Sequence, residues 1–242
     1  NSRCSLTARM VSFDRTPPLQ ALRAPLQEAL ALRARLLGES TDAWRIVNGE
    51  ADGMPGLVLD RYGDRLVMQI GTLGLQRLRD ELVAMIVEVC GPAGLYERSE
   101  SPSRKDEGLA PATGWRAGEP AAHVDIHEGD LLFRIPIEGS QKTGFFLDQR
   151  AMRACVRELA AGRTVLDCFC YTGGFGVSAL KGRAAGVDFV DASRPAIAAA
   201  EANIALNGGG AASTTVADAF VFLRGMPAGR YDLIVLDPPA FA

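Results

Sequence analysis

Apolar residues recur at a helical period over residues 19–37, where Leu22, Leu26, Leu30 and Leu37 fall near one stripe and Gly38 offers a stop. Pro17 and Pro18 stand just before it, at positions a helix start tolerates. The pattern then shortens. Trp44-Arg-Ile-Val47, Gly56-Leu-Val-Leu-Asp-Arg61 and Leu66-Val-Met-Gln-Ile70 read as strands, separated by turn signals at Asn48-Gly49, Asp52-Gly53, Pro55-Gly56 and Gly63-Asp64. Residues 75–90 return to the helical period, with Leu78, Leu82, Met85, Ile86 and Val89 on one face and Gly91-Pro92 as the stop. Leu95-Tyr-Glu-Arg98 and Leu131-Leu-Phe-Arg-Ile135 are further strands, and the Pro-, Gly- and charge-rich residues 99–122 between them read as a loop. Residues 44–138 are thus expected to form a small α+β domain, with residues 1–43 a helical linker.

From about residue 140 the style changes. Asp148 is placed to cap a helix in which Met152, Cys155, Val156 and Leu159 recur at i, i+3, i+4 and i+7. Strands near 164–169, 187–190, 216 and 231–236 then alternate with helices through 177–180, 194–206 and 219–225. Such alternation predicts parallel βαβ units, so residues 139–242 are expected to form a doubly wound, Rossmann-like α/β domain.

Composition narrows the class without deciding it. The chain has 242 residues, 48% hydrophobic and 23% charged, with no apolar run near the ~20 residues of a membrane span and no leader-like start. The expectation is a cytoplasmic protein without a membrane partner. Five scattered cysteines fit reduced thiols better than a disulfide framework, and two histidines, His123 and His127, argue against a structural metal. A net charge of −3 argues against a protein that simply coats nucleic acid. Basic residues do gather at Arg3, Arg9 and Arg15 and at Arg98, Arg104 and Lys105. Each cluster reads either as solvated surface or, for the second, as the frame of an RNA cleft.

The strongest local signal is Val165-Leu-Asp-Cys-Phe-Cys-Tyr-Thr-Gly-Gly-Phe-Gly176: an apolar strand ending in an acid, a glycine turn, then a helix. Glycines allow close approach of backbone to a bound cofactor, beside a helix N-terminus. A second acid, Asp191, ends the next strand at a spacing suited to ribose hydroxyls. Gly174-Phe-Gly176-Val-Ser-Ala179 also satisfies a dinucleotide pattern, but a pyrophosphate would meet the Asp167 carboxylate there. A cationic sulfonium cofactor carrying an amino group suits that acid better. Asp218, followed by Phe220, is placed to accept from an adenine amine, and Asp237-Pro-Pro-Ala-Phe241 closes the last apolar strand. All four acids are expected near the carboxyl ends of parallel strands, where such sheets bind ligands.

Residues 141–241 resemble a class I S-adenosylmethionine-dependent methyltransferase. Gln141-Lys-Thr-Gly-Phe-Phe-Leu-Asp-Gln-Arg150, Phe169-Cys-Tyr-Thr-Gly-Gly-Phe175 and Asp237-Pro-Pro-Ala-Phe241 are similar to the large-subunit ribosomal RNA methyltransferase I family, which forms 5-methylcytosine. Asn1-Ser2, Gly49-Glu-Ala-Asp-Gly-Met-Pro-Gly56 and Asp60-Arg61 extend the resemblance upstream. It implies a preceding PUA domain, a sheet cut after its fourth strand, S-adenosylmethionine as cofactor and ribosomal RNA as partner, with homodimerisation left open. It also implies that Lys142, Thr143, Phe146, Asp148 and Arg150 border the cofactor. By the same resemblance, Asp167, Tyr171, Thr172 and Gly173 cradle its methionine part, Asp191 takes the ribose and Asp218 the adenine. Asp237, Pro238 and Pro239 would line the pocket for the target base.

Two departures bear on chemistry. Ala240 stands where family members often have lysine, and where related cytosine methyltransferases read Pro-Cys this chain has Pro239-Ala240. Methylating cytosine at C5 requires a thiolate to attack C6. The family's nucleophile is expected in a motif beyond Ala242. Cys168 and Cys170 flank the glycine turn, but strand-end cysteines are more often small buried packers. Guanine-nitrogen methylation on the same core, a nicotinamide-dependent oxidoreductase and a non-catalytic RNA-binding subunit stay as alternatives.

Overall fold

The structure, a computed structural model, describes residues 6, 8–138 and 144–238. It divides into two compact units, Asn1–Ile126 with Pro136–Gly144, and His127–Ile135 with Phe145–Ala242. Among the described residues no helix is long and apolar enough to cross a membrane.

The first unit opens with helix α1 (Pro18–Leu37), whose Leu22, Leu26 and Ala29 are buried at one-turn spacing. The segment expected as a linker therefore supplies part of a core, the same one that holds Ile46, Leu57, Met68, Leu82 and Ile86. Strands β1 (Ala43–Asn48), β2 (Leu57–Tyr62) and β3 (Arg65–Ile70) form an antiparallel meander. The helix expected over 75–90 is two: α2 (Leu73–Arg77) and α3 (Arg79–Cys90), broken at Leu78, where ψ is 16°. Asp80 and Glu81 then occupy the first turn of α3, a favourable place for acids against the helix dipole. This helical crossover makes β4 (Gly94–Ser99) parallel to β3, as strand–helix–strand connections do.

The loop expected over 99–122 is a misreading. It contains β5 (Ala112–Gly118), antiparallel to β4, so the sheet runs β1-β2-β3-β4-β5. Gly114 and Gly118 resembled turn residues, but at Gly118 a Cβ would lie 2.1 Å from the Ala93 carbonyl oxygen. The glycine there marks close approach of two backbones within a strand. A two-stranded ribbon follows, β6 (His123–Glu128) and β7 (Leu131–Pro136). β6 escaped the sequence reading because only Ile126 among its residues is buried.

The basic cluster at 98–105 also resolves differently from either sequence reading. Arg104 is only 3% exposed and donates to the carbonyl oxygens of Ile70 and Ala110 and to Gln76. Arg98 is buried and donates to the Ile137 carbonyl. These two guanidinium groups fasten loops to strands, so they are neither solvated surface nor an exposed patch for phosphates.

In the second unit, α4 (Arg150–Leu159) leads to β8 (Thr164–Cys168), α5 (Gly174–Lys181), β9 (Gly186–Asp191) and α6 (Arg194–Leu206). β10 (Ala212–Val216), α7 (Ala219–Arg224) and β11 (Leu233–Leu236) complete it. All four strands are parallel, in the order β10-β9-β8-β11, and the first strand in sequence lies inside the sheet. Strand order reverses between β8 and β11, the place where open α/β sheets leave a crevice at their carboxyl ends. This is the Rossmann-like arrangement expected from the alternation of elements.

Helix α4 departs from expectation twice. Asp148 does not cap it: it is exposed in a short 3₁₀ turn (Leu147–Gln149), and Gln149 holds the capping position without a side-chain bond. Its expected apolar stripe is largely outside, with Met152, Cys155 and Leu159 exposed, while Arg153 and Val156 are buried. Arg153 is the reason. Its guanidinium lies 4.4 Å over the Phe145 ring and donates twice to Glu128 and once to the Phe146 carbonyl. Burying a cation with that many partners offsets its desolvation.

Candidate cofactor site

The site grows from the link between β8 and α5. Phe169 and Tyr171 take left-handed φ of 58° and 49°, and Gly173 takes 79°. Left-handed backbone at non-glycine residues costs about 1–3 kcal/mol each and persists only where neighbours hold it. Here they do. The Cys170 N–H donates to the Val190 carbonyl (3.1 Å), Gly173 N–H to the Cys170 carbonyl (2.7 Å) and Tyr171 N–H to Asp191 Oδ2 (2.9 Å). Two edge-on ring contacts flank the turn, Phe146 on Tyr171 at 5.7 Å and Phe169 on Phe220 at 5.8 Å.

The two glycine positions do different work. Gly173 supplies the positive φ that ends the turn. At Gly176 a Cβ would sit 2.1 Å from Phe189 Cε1, so that glycine lets α5 lie on β9. Its N–H points the other way, donating to Asp167 Oδ2 at 2.8 Å.

Asp167 is the unusual group. It is 1% exposed, and its second oxygen, Oδ1, is buried without a hydrogen-bond partner among the described atoms. Burial pushes its pKa up from 3.8 to about 7, against the pull of the Gly176 N–H, and the negative charges of Asp237 and Asp191 push it further. A carboxylate held this way is short of one donor and of positive charge.

The other acids are placed as follows. Asp191, at the end of β9, accepts from Tyr171 N–H and from Ser193 N–H (2.8 Å), so it braces the turn as well as facing it. Asp218 caps α7, its carboxylate accepting from Val221 N–H at 2.9 Å. Asp237 directly follows β11, which pairs with β8 from Leu233↔Val165 to Leu236↔Cys168. The structure therefore brings Asp167, Asp191 and Asp237 to the carboxyl end of one sheet, and Asp218, two residues past β10, stands at that same end while capping α7. Thr172 is buried within the turn. Arg150 donates to Glu128 (3.3 Å). Lys142, Thr143 and Pro239 lie outside the described residues, as do Ala240 and Phe241.

Neither cysteine at the turn is chemically available. Cys168 and Cys170 are buried, and burial beside Asp167 pushes the Cys168 thiol up to about 11 and the Cys170 thiol higher still. The packing reading of both thiols is the one the structure supports.

Three residues that matter here were missed. Glu128, partly buried, and Arg153, buried, form an ion pair beside Phe145. Asn203 is wholly buried on α6. A signal for it existed: Ile197, Ala200 and Ile204 mark the apolar stripe of that helix, and Asn203 falls within it.

A parallel sheet with a strained glycine turn, an under-partnered acid near the end of its first strand and further acids at the same end of the sheet is an arrangement suited to a nucleotide-type cofactor. Residues 104–242 match the family model described as S-adenosylmethionine-dependent methyltransferase, and the chain belongs to that family. Among its relatives, "Ribosomal RNA large subunit methyltransferase I" of Shewanella denitrificans is 39% identical over 98% of this chain and 62% of its own length. A solved Streptococcus mutans protein assigned as a SAM-dependent methyltransferase superposes with a TM-score of 0.80 at 27% identity, covering 96% of this chain and 60% of that one. Another solved protein, assigned as a methyltransferase and complexed with S-adenosylhomocysteine, has a TM-score of 0.81 at 28% identity over 97% of this chain and 60% of its own. This chain thus spans about three-fifths of the length of each.

Proposed function

We propose that the protein methylates large-subunit ribosomal RNA at cytosine C5, using S-adenosylmethionine held at the β8–α5 turn. The observation that carries the cofactor half is the buried Asp167 carboxylate, with Oδ1 unpartnered and Gly176 holding only Oδ2. A cationic amino group supplies the donor and the charge that this oxygen lacks. A pyrophosphate would add negative charge to a cluster of three carboxylates, which is the physical case against a dinucleotide. Asp191 is suited to ribose hydroxyls while keeping its two backbone bonds, since a carboxylate has about four acceptor sites. Asp218 is assigned to the adenine amine and Asp237 with Pro238 and Pro239 to the target base, on the resemblance of those segments. When bound, the cofactor supplies an electrophilic methyl group.

The RNA and cytosine assignments rest on likeness to the ribosomal RNA methyltransferase I relatives. Within this chain the residues bind and orient: the turn presents fixed N–H and C=O groups, and the carboxylates set the charge. The attacking thiolate is assigned to neither Cys168 nor Cys170, whose raised pKa values keep them protonated. Calorimetric titration of the intact protein with S-adenosylhomocysteine and with NAD tests the cofactor; binding of NAD alone would sink it. Incubation with protein-free large-subunit RNA and labelled cofactor, followed by nucleoside mass spectrometry, tests the base. The expected product is 5-methylcytidine, and a methylated guanosine would replace the cytosine reading.

A further inference from the structure

Helix α6 does more than pack on the sheet. Asn203, on this helix, and Asn207, the residue that caps its C-terminus, stand one turn apart and grip alternate residues of β7. Asn207 accepts from the Leu132 N–H (3.0 Å) and donates to the Leu132 carbonyl (2.7 Å), while Asn203 accepts from the Arg134 N–H (2.7 Å). The spacings agree: four helical residues rise about 6 Å, and two strand residues about 6.6 Å. The two amides therefore imitate the edge of a sheet for a strand lying beside a helix. Asn207 Nδ2 also donates to the Asn203 carbonyl (2.8 Å), which ties the pair together.

Asn203 has a second bond that Asn207 lacks. Its Nδ2 donates to the carbonyl of Thr172 at 2.9 Å, inside the β8–α5 turn. One turn back on the same helix, Ala200 backs Gly173 so closely that a Cβ there would lie 3.0 Å from Ala200 Cβ. The turn carries two left-handed non-glycine residues, so its shape depends on such restraints. Among the described residues Asn203 is wholly out of water, and both ends of its amide are used.

We propose that Asn203 is a positioning residue for cofactor binding: by holding the Thr172 carbonyl it fixes the turn that carries Tyr171, Thr172 and Gly173, and it links that turn to β7. This rests on the reading of the turn as the S-adenosylmethionine site. Asn207, with the same chemistry at the end of the same helix and against the same strand, is the internal control, because its bonds go to Leu132 and Asn203 and not to the turn. Replacing Asn203 by Asp keeps an oxygen for the Arg134 N–H but sets an oxygen against the Thr172 carbonyl. A buried carboxyl in that position takes up a proton as pH falls and then donates again.

The test is calorimetric titration of the intact native protein, Asn203→Asp and Asn207→Asp with S-adenosylhomocysteine, at about pH 8 and about pH 6. Thermal midpoints are recorded alongside, and each variant is compared with native at the same pH. Both variants are expected to melt earlier. Only Asn203→Asp is expected to bind more weakly, by about tenfold at the higher pH, with most of that loss recovered at the lower. Equal weakening by the two variants, unchanged affinity of Asn203→Asp, or a loss that acid does not ease overturns the proposal. If the native protein does not bind S-adenosylhomocysteine, the cofactor reading falls, which is a distinct failure. Should Asn203→Asp not fold, Asn203→Ser against Asn207→Ser gives the same comparison, since a serine hydroxyl is too short to span to Thr172. A selective loss supports the role and parity ends it.

Discussion

Four carboxylates are buried among the described residues, three in the first unit and one in the second, and they are treated differently. In the first unit Asp60 is gripped through both oxygens by Arg45 (2.8 and 3.1 Å), and Glu97 by Ser99 (2.7 Å) and Arg116 (2.6 Å). Glu107 accepts from Arg9 (3.1 Å) and from the Leu73 N–H (3.2 Å). In the second unit Asp167 has one bond, from Gly176, and like charges for neighbours. Burying a charge costs several kcal/mol unless partners offset it. Where the offset is complete, as in the first unit, the charge is architecture. Where it is left incomplete, the fold carries an energetic debt that a ligand of opposite charge can cancel. Binding sites can thus be sought as incomplete partnerships among buried charges.

The comparison can be broken in several ways. The largest effect is expected from Glu97→Ala, which strands Arg116 and Ser99; chemical denaturation should show a loss of about 3 kcal/mol. If instead the variant is as stable as native, the first unit's pairs are not structural. Asp167→Asn comes next. Its amide can still accept from Gly176 N–H, so stability near neutral pH should hold or rise, while affinity for S-adenosylhomocysteine falls by about 1.5–3 kcal/mol. A variant that is destabilised yet binds normally would make Asp167 architecture too.

A third prediction concerns pH. Because the folded-state pKa of Asp167 is raised from 3.8 to about 7, the folded chain keeps a proton that the unfolded chain releases between those values. The stability that proton contributes is present at low pH and lost as pH rises through about 7. Cofactor affinity should move the opposite way, rising as the carboxylate forms. Melting and titration across that window in native and Asp167→Asn check both signs, and persistence of the Asp167 slope in the variant would assign it elsewhere. The smallest effect belongs to the exposed pair Arg157–Asp130. Arg157→Ala should shift stability by no more than about 0.5 kcal/mol, and a larger loss in denaturation would show that surface pairs matter here.

Much of the second unit was legible in the chain. Strands alternating with helices announced a parallel sheet, and acids at strand ends announced where its ligand side lies, since both are properties of local pattern. What failed was whatever depends on a distant partner. The glycines of β5 look like turn residues until the close approach of β4 is known. Arg98 and Arg104 look like surface charge until their carbonyl partners are seen. Asp148 was well spaced to cap α4, but a 3₁₀ turn takes up the residue and moves the helix start past it. The missing donor at Asp167 Oδ1 is likewise invisible in sequence, because it is a count of neighbours.

The buried thiols of the turn have a practical consequence at the bench. Cys168 and Cys170 are enclosed, and Cys90 is half-buried with its thiol pushed up to about 11. Among the four described cysteines, Cys155 on α4 is the exposed one. A maleimide fluorophore should therefore attach at Cys155 before the other three, on the same helix as Arg153, which clasps the backbone of Phe146. With Cys4 replaced by serine, that label gives an optical handle near the Phe146–Tyr171 contact while leaving the turn's own sulfurs unlabelled.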